Sequence, residues 1–343
     1  MIRPNRAAAT LIAAVAALPA AAHDDPLAHV AAFFADANVV SGPELVDCTL
    51  SGGTETTCFS ITVKPDPQDY TPGPWCPTNI ADGAEAGGIW IVDGEANDVD
   101  GAFITRLAEI YGDTEWKLYD EATGDVRYTG TLEACEAAAR PDVDEAYNNY
   151  CVQCLPEYLP EEASVTYVIP LRPVMLDEPA DSTRGGAGVA YNGVRLDGPA
   201  PLEAITSAHT IAPFDDCGGH VNTHVGYHYH AVTDCLNTPP ASTTALKNHG
   251  TQIGIAMDGF PIMGHIEGID DELDACNGIM IDGVGYHYYA GAPGSNAILG
   301  CHVAEVGCTL EEGGTCNASL DARRGPPPGA NGDRPAPPPP PAD

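Results

Sequence analysis

Residues 215–235 read D-D-C-G-G-H-V-N-T-H-V-G-Y-H-Y-H-A-V-T-D-C and contain four of the 11 histidines of the chain, His220, His224, His228 and His230. Tyrosine and histidine alternate over residues 227–230. Because successive side chains of a strand point to opposite faces, this alternation predicts both imidazoles on one face and both tyrosine rings on the other. The glycines within the run disfavour a helix. The stretch therefore predicts a glycine-hinged loop that leads into a strand.

A near-copy of this motif lies further along the chain, where residues 285–290 read G-Y-H-Y-Y-A against G-Y-H-Y-H-A at 226–231. Further motifs are C-G-G-H at 217–220, M-D-G-F-P-I-M-G at 257–264 and L-D-A-C-N-G at 273–278. On these motifs the chain resembles the YHYH-domain family of secreted bacterial proteins, over residues 45–310. The family is named for its motif, so the resemblance implies no particular activity. One position departs from the family pattern, because Tyr289 stands where the second copy usually has histidine.

The composition describes an acidic globular protein. The 343 residues include 14 Lys and Arg against 49 Asp and Glu, which gives a net charge of −35, and 44% are hydrophobic. Such a surface repels nucleic acid and anionic lipid, so we expect neither as a partner. The charge itself needs no function beyond solubility.

The first 22 residues have the pattern of a secretory signal. Arg3 and Arg6 form a basic start, residues 7–17 are apolar, and three alanines at 20–22 form a small-residue cleavage site. No later run approaches the roughly 20 apolar residues of a membrane span. We therefore predict cleavage after Ala22 and a secreted or periplasmic protein.

Strand and turn signals outnumber helix signals along the chain. Asn192-Gly193, flanked by short apolar runs, predicts a hairpin. We expect an N-terminal helical segment at 23–40 with its helix at 26–37, a single YHYH-type β-rich domain at 41–318 with its motif core at 187–310, and a disordered Pro-rich tail at 319–343. The predicted fold class is mainly β, a disulfide-braced sandwich or barrel-like domain with a few short helices.

The cysteines predict a disulfide framework, because an even number, twelve, occurs in a chain that carries an export signal. The C-x-x-C at 151–154 is interpreted as two structural disulfide partners and not as a redox pair. Spacing does not fix connectivity, but it suggests local pairings: Cys48 with Cys58, Cys217 with Cys235, and Cys301 with Cys308 or Cys316.

Clustered imidazoles are typical of transition-metal sites. His228 and His230 are the best pair, because H-x-H on a strand presents two ligands side by side. His220 and His224 could complete the site from the preceding loop, and His287 from the second copy. A chain that offers histidines without free thiolates favours copper or zinc.

Other polar residues could support such a site. Asp216 and Asp258 are candidate carboxylate ligands or hydrogen-bond partners of an imidazole. The shared G-Y-H-Y spacing also predicts that His228 and His287 face a common cleft. Tyr289 would then orient a ligand or a bound water, because a neutral phenol is a poor metal ligand.

Two alternatives to a simple metal-binding protein follow from the same residues. The first is a metal-dependent hydrolase or oxidase, with Asp258 or Glu267 as the base, although neither H-E-x-x-H nor G-x-S-x-G occurs. The second is a non-catalytic binding module for a sugar or peptide. Its aromatic platform would consist of Tyr227, Tyr229, Tyr286, Tyr288 and Tyr289.

Overall fold

The computed structural model describes residues 25–140, 142–181, 186–236, 250–310 and 314–323. These residues form sixteen strands and five α-helices, which confirms the mainly β fold class. The strands are β1 (Val39–Thr49), β2 (Glu55–Val63), β3 (Ile89–Val92), β4 (Glu95–Asp98), β5 (Val165–Pro170), β6 (Met175–Ala180), β7 (Gly188–Ala190), β8 (Arg195–Leu196), β9 (Gly219–Asn222), β10 (Gly226–Tyr229), β11 (Gln252–Ala256), β12 (Pro261–Met263), β13 (Gly278–Ile281), β14 (Gly285–Tyr289), β15 (His302–Ala304) and β16 (Cys308–Leu310). The helices are α1 (Pro26–Phe33), α2 (Gly101–Ile110), α3 (Leu132–Ala138), α4 (Leu202–Thr206) and α5 (Ala318–Arg323).

The two ends of the chain were predicted as a signal peptide and a disordered tail. The signal peptide at 1–22 lies outside the described residues, as does the tail beyond 323. The predicted N-terminal helix is α1, which Asp25 caps by accepting a hydrogen bond from the Leu27 N–H at 3.0 Å. Helix α5 covers 319–323, so the start of the predicted tail is helical. Among the described residues, no helix has the length and apolar composition needed to cross a bilayer.

Two sheets pack face to face around the main core. One is a four-stranded antiparallel sheet in the order β1-β2-β5-β16, and the other has eight strands in the order β13-β14-β12-β11-β7-β8-β10-β9. Ile61 and Tyr167 of the first sheet share a buried cluster with Val189 and Tyr229 of the second. This arrangement is sandwich-like, as predicted.

A smaller core lies beside the sandwich, built mainly from residues 76–152. Trp90 of β3 and Phe103 and Leu107 of α2 are buried in it. Ile211 and Ala212 belong to the same cluster. Because these two residues come shortly before β9, the smaller core anchors the chain that enters the histidine hairpin.

The eight-stranded sheet consists of two similar halves. Each half contains two consecutive hairpins, β7-β8 and β9-β10 in the first half and β11-β12 and β13-β14 in the second. The two hairpins of a half are joined by a parallel pair of strands, β8 with β10 and β12 with β14. The halves meet where β7 and β11 pair antiparallel, with Gly188 opposite Ala256 and Ala190 opposite Gly254. This register is symmetric, so the two halves are related by an approximate two-fold axis. The Asn192-Gly193 hairpin was predicted correctly.

All twelve cysteines pair, in six disulfides, which confirms the predicted framework. The local bonds Cys48–Cys58 and Cys217–Cys235 form as predicted. The pairing predicted for Cys301 with Cys308 or Cys316 is wrong, because Cys301 forms a disulfide with Cys276, two residues before β13. The remaining bonds are Cys308–Cys316, Cys76–Cys151 and Cys135–Cys154, so the two cysteines of C-x-x-C reach different partners, as expected for structural disulfides.

Candidate metal centre

The β9-β10 hairpin brings His220 and His228 together. The two residues are direct cross-strand partners in the antiparallel register, and so their side chains lie on the same face of the sheet. His230 follows two residues after His228 and shares that face. Its position is fixed by Gly218, whose carbonyl oxygen accepts the His230 N–H at 3.0 Å. Gly218 has φ +84°, and a Cβ there would lie 2.3 Å from the Ala231 carbonyl oxygen, so only glycine fits.

The three imidazoles form a compact triad. One nitrogen of each ring lies within 4.8 Å of the others. The Nε2 atoms of His228 and His230 are 3.1 Å apart. Two nitrogens bound to one tetrahedral Zn²⁺ at the usual bond length would lie about 3.3 Å apart. The His228–His230 separation is therefore that of two ligands on one small metal ion, and a ring nitrogen of His220 lies within 4.8 Å of both.

Backbone carbonyls determine which nitrogen of each ring faces the others. His228 Nδ1 lies 3.0 Å from the Gly226 oxygen, and His230 Nδ1 lies 2.5 Å from the Gly198 oxygen. Since a carbonyl only accepts, each Nδ1 carries the proton and each Nε2 presents a lone pair. His220 lies near the backbone of Ala212. Hydrogen bonding of the second imidazole nitrogen is how proteins orient histidine ligands toward a metal.

The surroundings keep the triad uncharged. Burial lowers the pKa of all three imidazoles, well below the ordinary value for His220 and His228. The neighbouring imidazoles lower the pKa of His220 and His228 further. Phe214 packs against the triad, with its ring centroid 5.2 Å from that of His220 and 5.5 Å from that of His230. Neutral imidazoles are the form that binds metals.

The triad lines one end of a cavity of about 280 Å³. Most of the wall is apolar and includes Ala139, Ala212 and Val225. Arg140 and Asp197 are the charged side chains among the described residues that line it. The open side of the triad is therefore reachable by a small molecule.

The tyrosines of the motif face the opposite side and support the hairpin from the core. Tyr227 is 1% and Tyr229 0% exposed, and both hydroxyls bond to the Tyr70 hydroxyl at 2.8 Å. Tyr227 also donates to the buried carboxylate of Asp215, which accepts the N–H groups of Cys217 and Gly219. Burial raises the pKa of Asp215 to about 6, against these hydrogen bonds. Because the motif tyrosines are packed inside, the predicted aromatic platform for a sugar or peptide does not form at the surface.

The second hairpin repeats this scaffold without the triad. Asp274 accepts the N–H groups of Cys276 and Gly278 and the Tyr286 hydroxyl, as Asp215 does in the first hairpin. His287 Nδ1 lies 3.2 Å from the Gly285 oxygen, which matches His228 and Gly226. The positions equivalent to His220 and His230 are Ile279 and Tyr289.

His287 and His228 do not share a cleft, and that prediction is wrong. Five strand spacings separate β14 from β10 in the sheet. At about 4.8 Å per spacing, the strands are about 24 Å apart along the sheet, far beyond the reach of one metal ion. His287 therefore cannot join His220, His228 and His230. Instead, its Nε2 lies 3.4 Å from the Tyr289 hydroxyl.

The other predicted site residues also lie away from the triad. His224 is exposed in the hairpin turn and is not among the clustered ligands, and Asp216 is exposed. Asp258 is buried in the second half of the sheet, where it accepts the Tyr288 hydroxyl at 2.6 Å. Glu267 is exposed in a turn. Neither Asp258 nor Glu267 is placed to act as a base at the triad.

Sequence reasoning missed several residues that build the site. Asp215 had a readable signal, since D-x-C occurs both at 215–217 and at 274–276 beside each motif copy. Asp197 and the carbonyl of Gly198 gave no signal, because they reach the triad only through the fold. The same holds for Tyr70.

Together, the duplicated hairpins, the six disulfides and the histidine triad define a disulfide-braced β protein with a candidate three-histidine site. Residues 166–272 match the family model described as YHYH protein, which confirms the family resemblance seen in the motifs. This segment includes β7 to β12 and all three triad histidines. No curated protein and no solved structure matches the chain.

Proposed function

We propose that this chain is an exported protein that binds one transition-metal ion, copper or zinc, through the Nε2 lone pairs of His228 and His230 and one ring nitrogen of His220. The supporting observation is the 3.1 Å separation of the His228 and His230 Nε2 atoms. Each of these rings has its Nδ1 against a carbonyl oxygen, so two lone pairs face one another. Without a cation between them this contact is repulsive, and a shared metal removes the repulsion.

The proposed metals follow from the donor atoms. Neutral imidazoles suit zinc and copper, and the cysteines offer no thiolate because all are in disulfides. The Irving–Williams order favours copper wherever both ions compete. Three histidines with a fourth open position are also a known zinc arrangement.

Export is supported by the disulfides and by the N-terminal signal pattern. Six disulfides fit a protein outside the cytoplasm, where thiols oxidise. The basic and apolar start of the chain has the order of a cleaved secretory signal. A secreted or periplasmic location would expose the triad to extracellular copper and zinc.

A metal-dependent hydrolase or oxidase is the second candidate. The observation in its favour is the cavity beside the triad, because three protein ligands leave a coordination position that a small molecule can take. Asp197, the carboxylate among the described residues that line the cavity, is paired with Arg195 and is not free to act as a base. An enzyme at this site would depend on the metal for activation of its substrate or of water.

Elemental analysis of protein purified from an exporting host without chelator tests the proposal. We expect about one copper or zinc per chain, and a loss of at least tenfold in metal affinity for His230→Ala, because a ligand is removed. His224→Ala is the matched control: it removes a histidine of the same hairpin that lies outside the triad, and metal content should not change.

Thermal unfolding separates metal binding from packing. If the metal binds the native triad, His230→Ala should remove the stabilisation that added metal gives to the wild-type protein. An equal loss of stability in the apo and metal-loaded forms, with metal content unchanged, would contradict the proposal and assign the histidines a packing role.

A further inference from the structure

The cavity beside the triad has apolar walls contributed by several separate parts of the chain. Ala138 and Ala139 come from the end of α3, Ile205 from α4, and Val221 and Val225 from the histidine hairpin. Polyhydroxylated ligands such as sugars do not suit these walls, because their hydroxyl groups would lose water without gaining partners. A ligand with a short hydrocarbon body suits them.

The charges that line the cavity are already balanced. Asp197 forms an ion pair with Arg195, in which Nη2 donates to Oδ1 at 3.1 Å and Nε lies 3.1 Å from Oδ2. Arg140 forms a two-point ion pair with Asp142, including Nε to Oδ1 at 2.8 Å. The triad itself is neutral. Asp197 is the carboxylate among the described residues that line the cavity, and because Arg195 already pairs with it, it would not fully offset the two positive charges of a divalent metal on the triad.

From these features we propose that the metal-loaded site binds a small organic monocarboxylate, whose oxygen takes the open coordination position while its hydrocarbon chain fills the cavity. The inference rests on the proposed metal binding. A monoanion fits better than a dianion, because the guanidinium of Arg140 is committed to Asp142 and a second charge would enter an apolar space.

A spectroscopic titration of the Co²⁺-loaded protein tests this inference, since the visible spectrum of Co²⁺ reports a change of ligand. Acetate, propionate, butyrate and pentanoate are added in turn. We expect the affinity to rise about fourfold per added methylene, as each one leaves water for the cavity. Glutarate has the chain length of pentanoate with a second carboxylate, and it should bind at least tenfold more weakly than pentanoate.

The two related hairpins provide a matched pair of variants. Val225 lines the cavity, and Val284 takes the equivalent place in the second hairpin, where it is 45% exposed. Val225→Phe should reduce pentanoate affinity at least tenfold by filling the cavity and leave Co²⁺ uptake unchanged. Val284→Phe should change neither.

The outcomes distinguish this inference from the metal-binding proposal. Co²⁺ uptake with no dependence on chain length, or equal effects of Val225→Phe and Val284→Phe, would overturn the carboxylate inference alone. Failure of the wild-type protein to take up Co²⁺, Zn²⁺ or Cu²⁺ would overturn both.

Discussion

His220 and Ile279 occupy equivalent positions in two related hairpins: His220 lies directly opposite His228, and Ile279 lies directly opposite His287. The supporting carboxylates, Asp215 and Asp274, share three equivalent hydrogen bonds, from two backbone N–H groups and one tyrosine hydroxyl. The sheet thus presents one scaffold twice, with a complete histidine triad in the first copy alone. The second hairpin, β13-β14, can therefore be used as an internal control for variants of the first hairpin, β9-β10.

The second hairpin should accept a transplanted site. Ile279→His together with Tyr289→His restores the triad pattern around His287, and we expect metal content to rise from about one to about two per chain. Either change alone provides only two imidazoles and should add little. Elemental analysis after dialysis against a weak chelator measures this. A folded double variant that still holds one metal would show that register alone does not create the site.

The carboxylate of Asp215 should matter to both stability and metal binding. Asp215→Ala leaves several buried donors without an acceptor, and we expect it to lower the free energy of unfolding by about 3 kcal/mol. Metal affinity should also fall, because the strand that carries His220 begins at these donors.

Asp274→Ala is the matched control, measured by denaturant unfolding and by metal titration. It removes the equivalent acceptor from the second hairpin and should lower stability while leaving metal affinity unchanged. Loss of metal affinity in this variant as well would show that the effect is global.

Acid should destabilise the metal-free protein through the triad. Burial lowers the pKa of His220 and His228 in the folded protein, so below about pH 6.5 the unfolded chain binds more protons and stability falls as pH falls. Buried Asp215 and Asp258 act in the opposite direction, because their raised pKa values favour proton uptake by the folded state.

A variant isolates the histidine contribution to this pH dependence. Between pH 7.5 and 5.5, His220→Gln should lose about 1 kcal/mol less stability than the wild-type apo protein. Urea unfolding at the two pH values measures the difference. Identical losses in the two proteins would mean that His220 protonates equally in the folded and unfolded states.

The denatured protein should contain no reactive thiol before reduction. All twelve cysteines are paired, so thiol titration in denaturant should give about zero groups before reduction and about twelve after it. Several free thiols per chain in protein from an exporting host would contradict the disulfide framework and reopen the redox interpretation of Cys151 and Cys154.

Local sequence patterns predicted the features that depend on neighbours along the chain. The H-x-H spacing placed His228 and His230 on one face, because strand side chains alternate whatever the rest of the fold does. Asn192-Gly193 predicted its hairpin for the same reason, since the turn conformation is local. The short-range disulfide Cys217–Cys235 was also readable from spacing.

Features that depend on strand order could not be read locally. The G-Y-H-Y copies suggested a shared cleft, yet pairing of β7 with β11 placed the two hairpins at opposite ends of the strand order of the sheet. Long-range backbone hydrogen bonds and the choice of the buried face decide which strands pair. A six-residue motif indicates neither of them. Burial of the motif tyrosines followed from the same packing of the two sheets.

The sequence by itself determined the class of the protein and the identity of its histidine pair, because alternation, turn residues and cysteine number act over short distances. The tertiary structure alone decided that His220 completes the triad, that His224 and His287 do not, and that the carbonyl of Gly198 orients the His230 ring. Those contacts join residues distant in sequence, and only the folded backbone brings them within hydrogen-bonding distance.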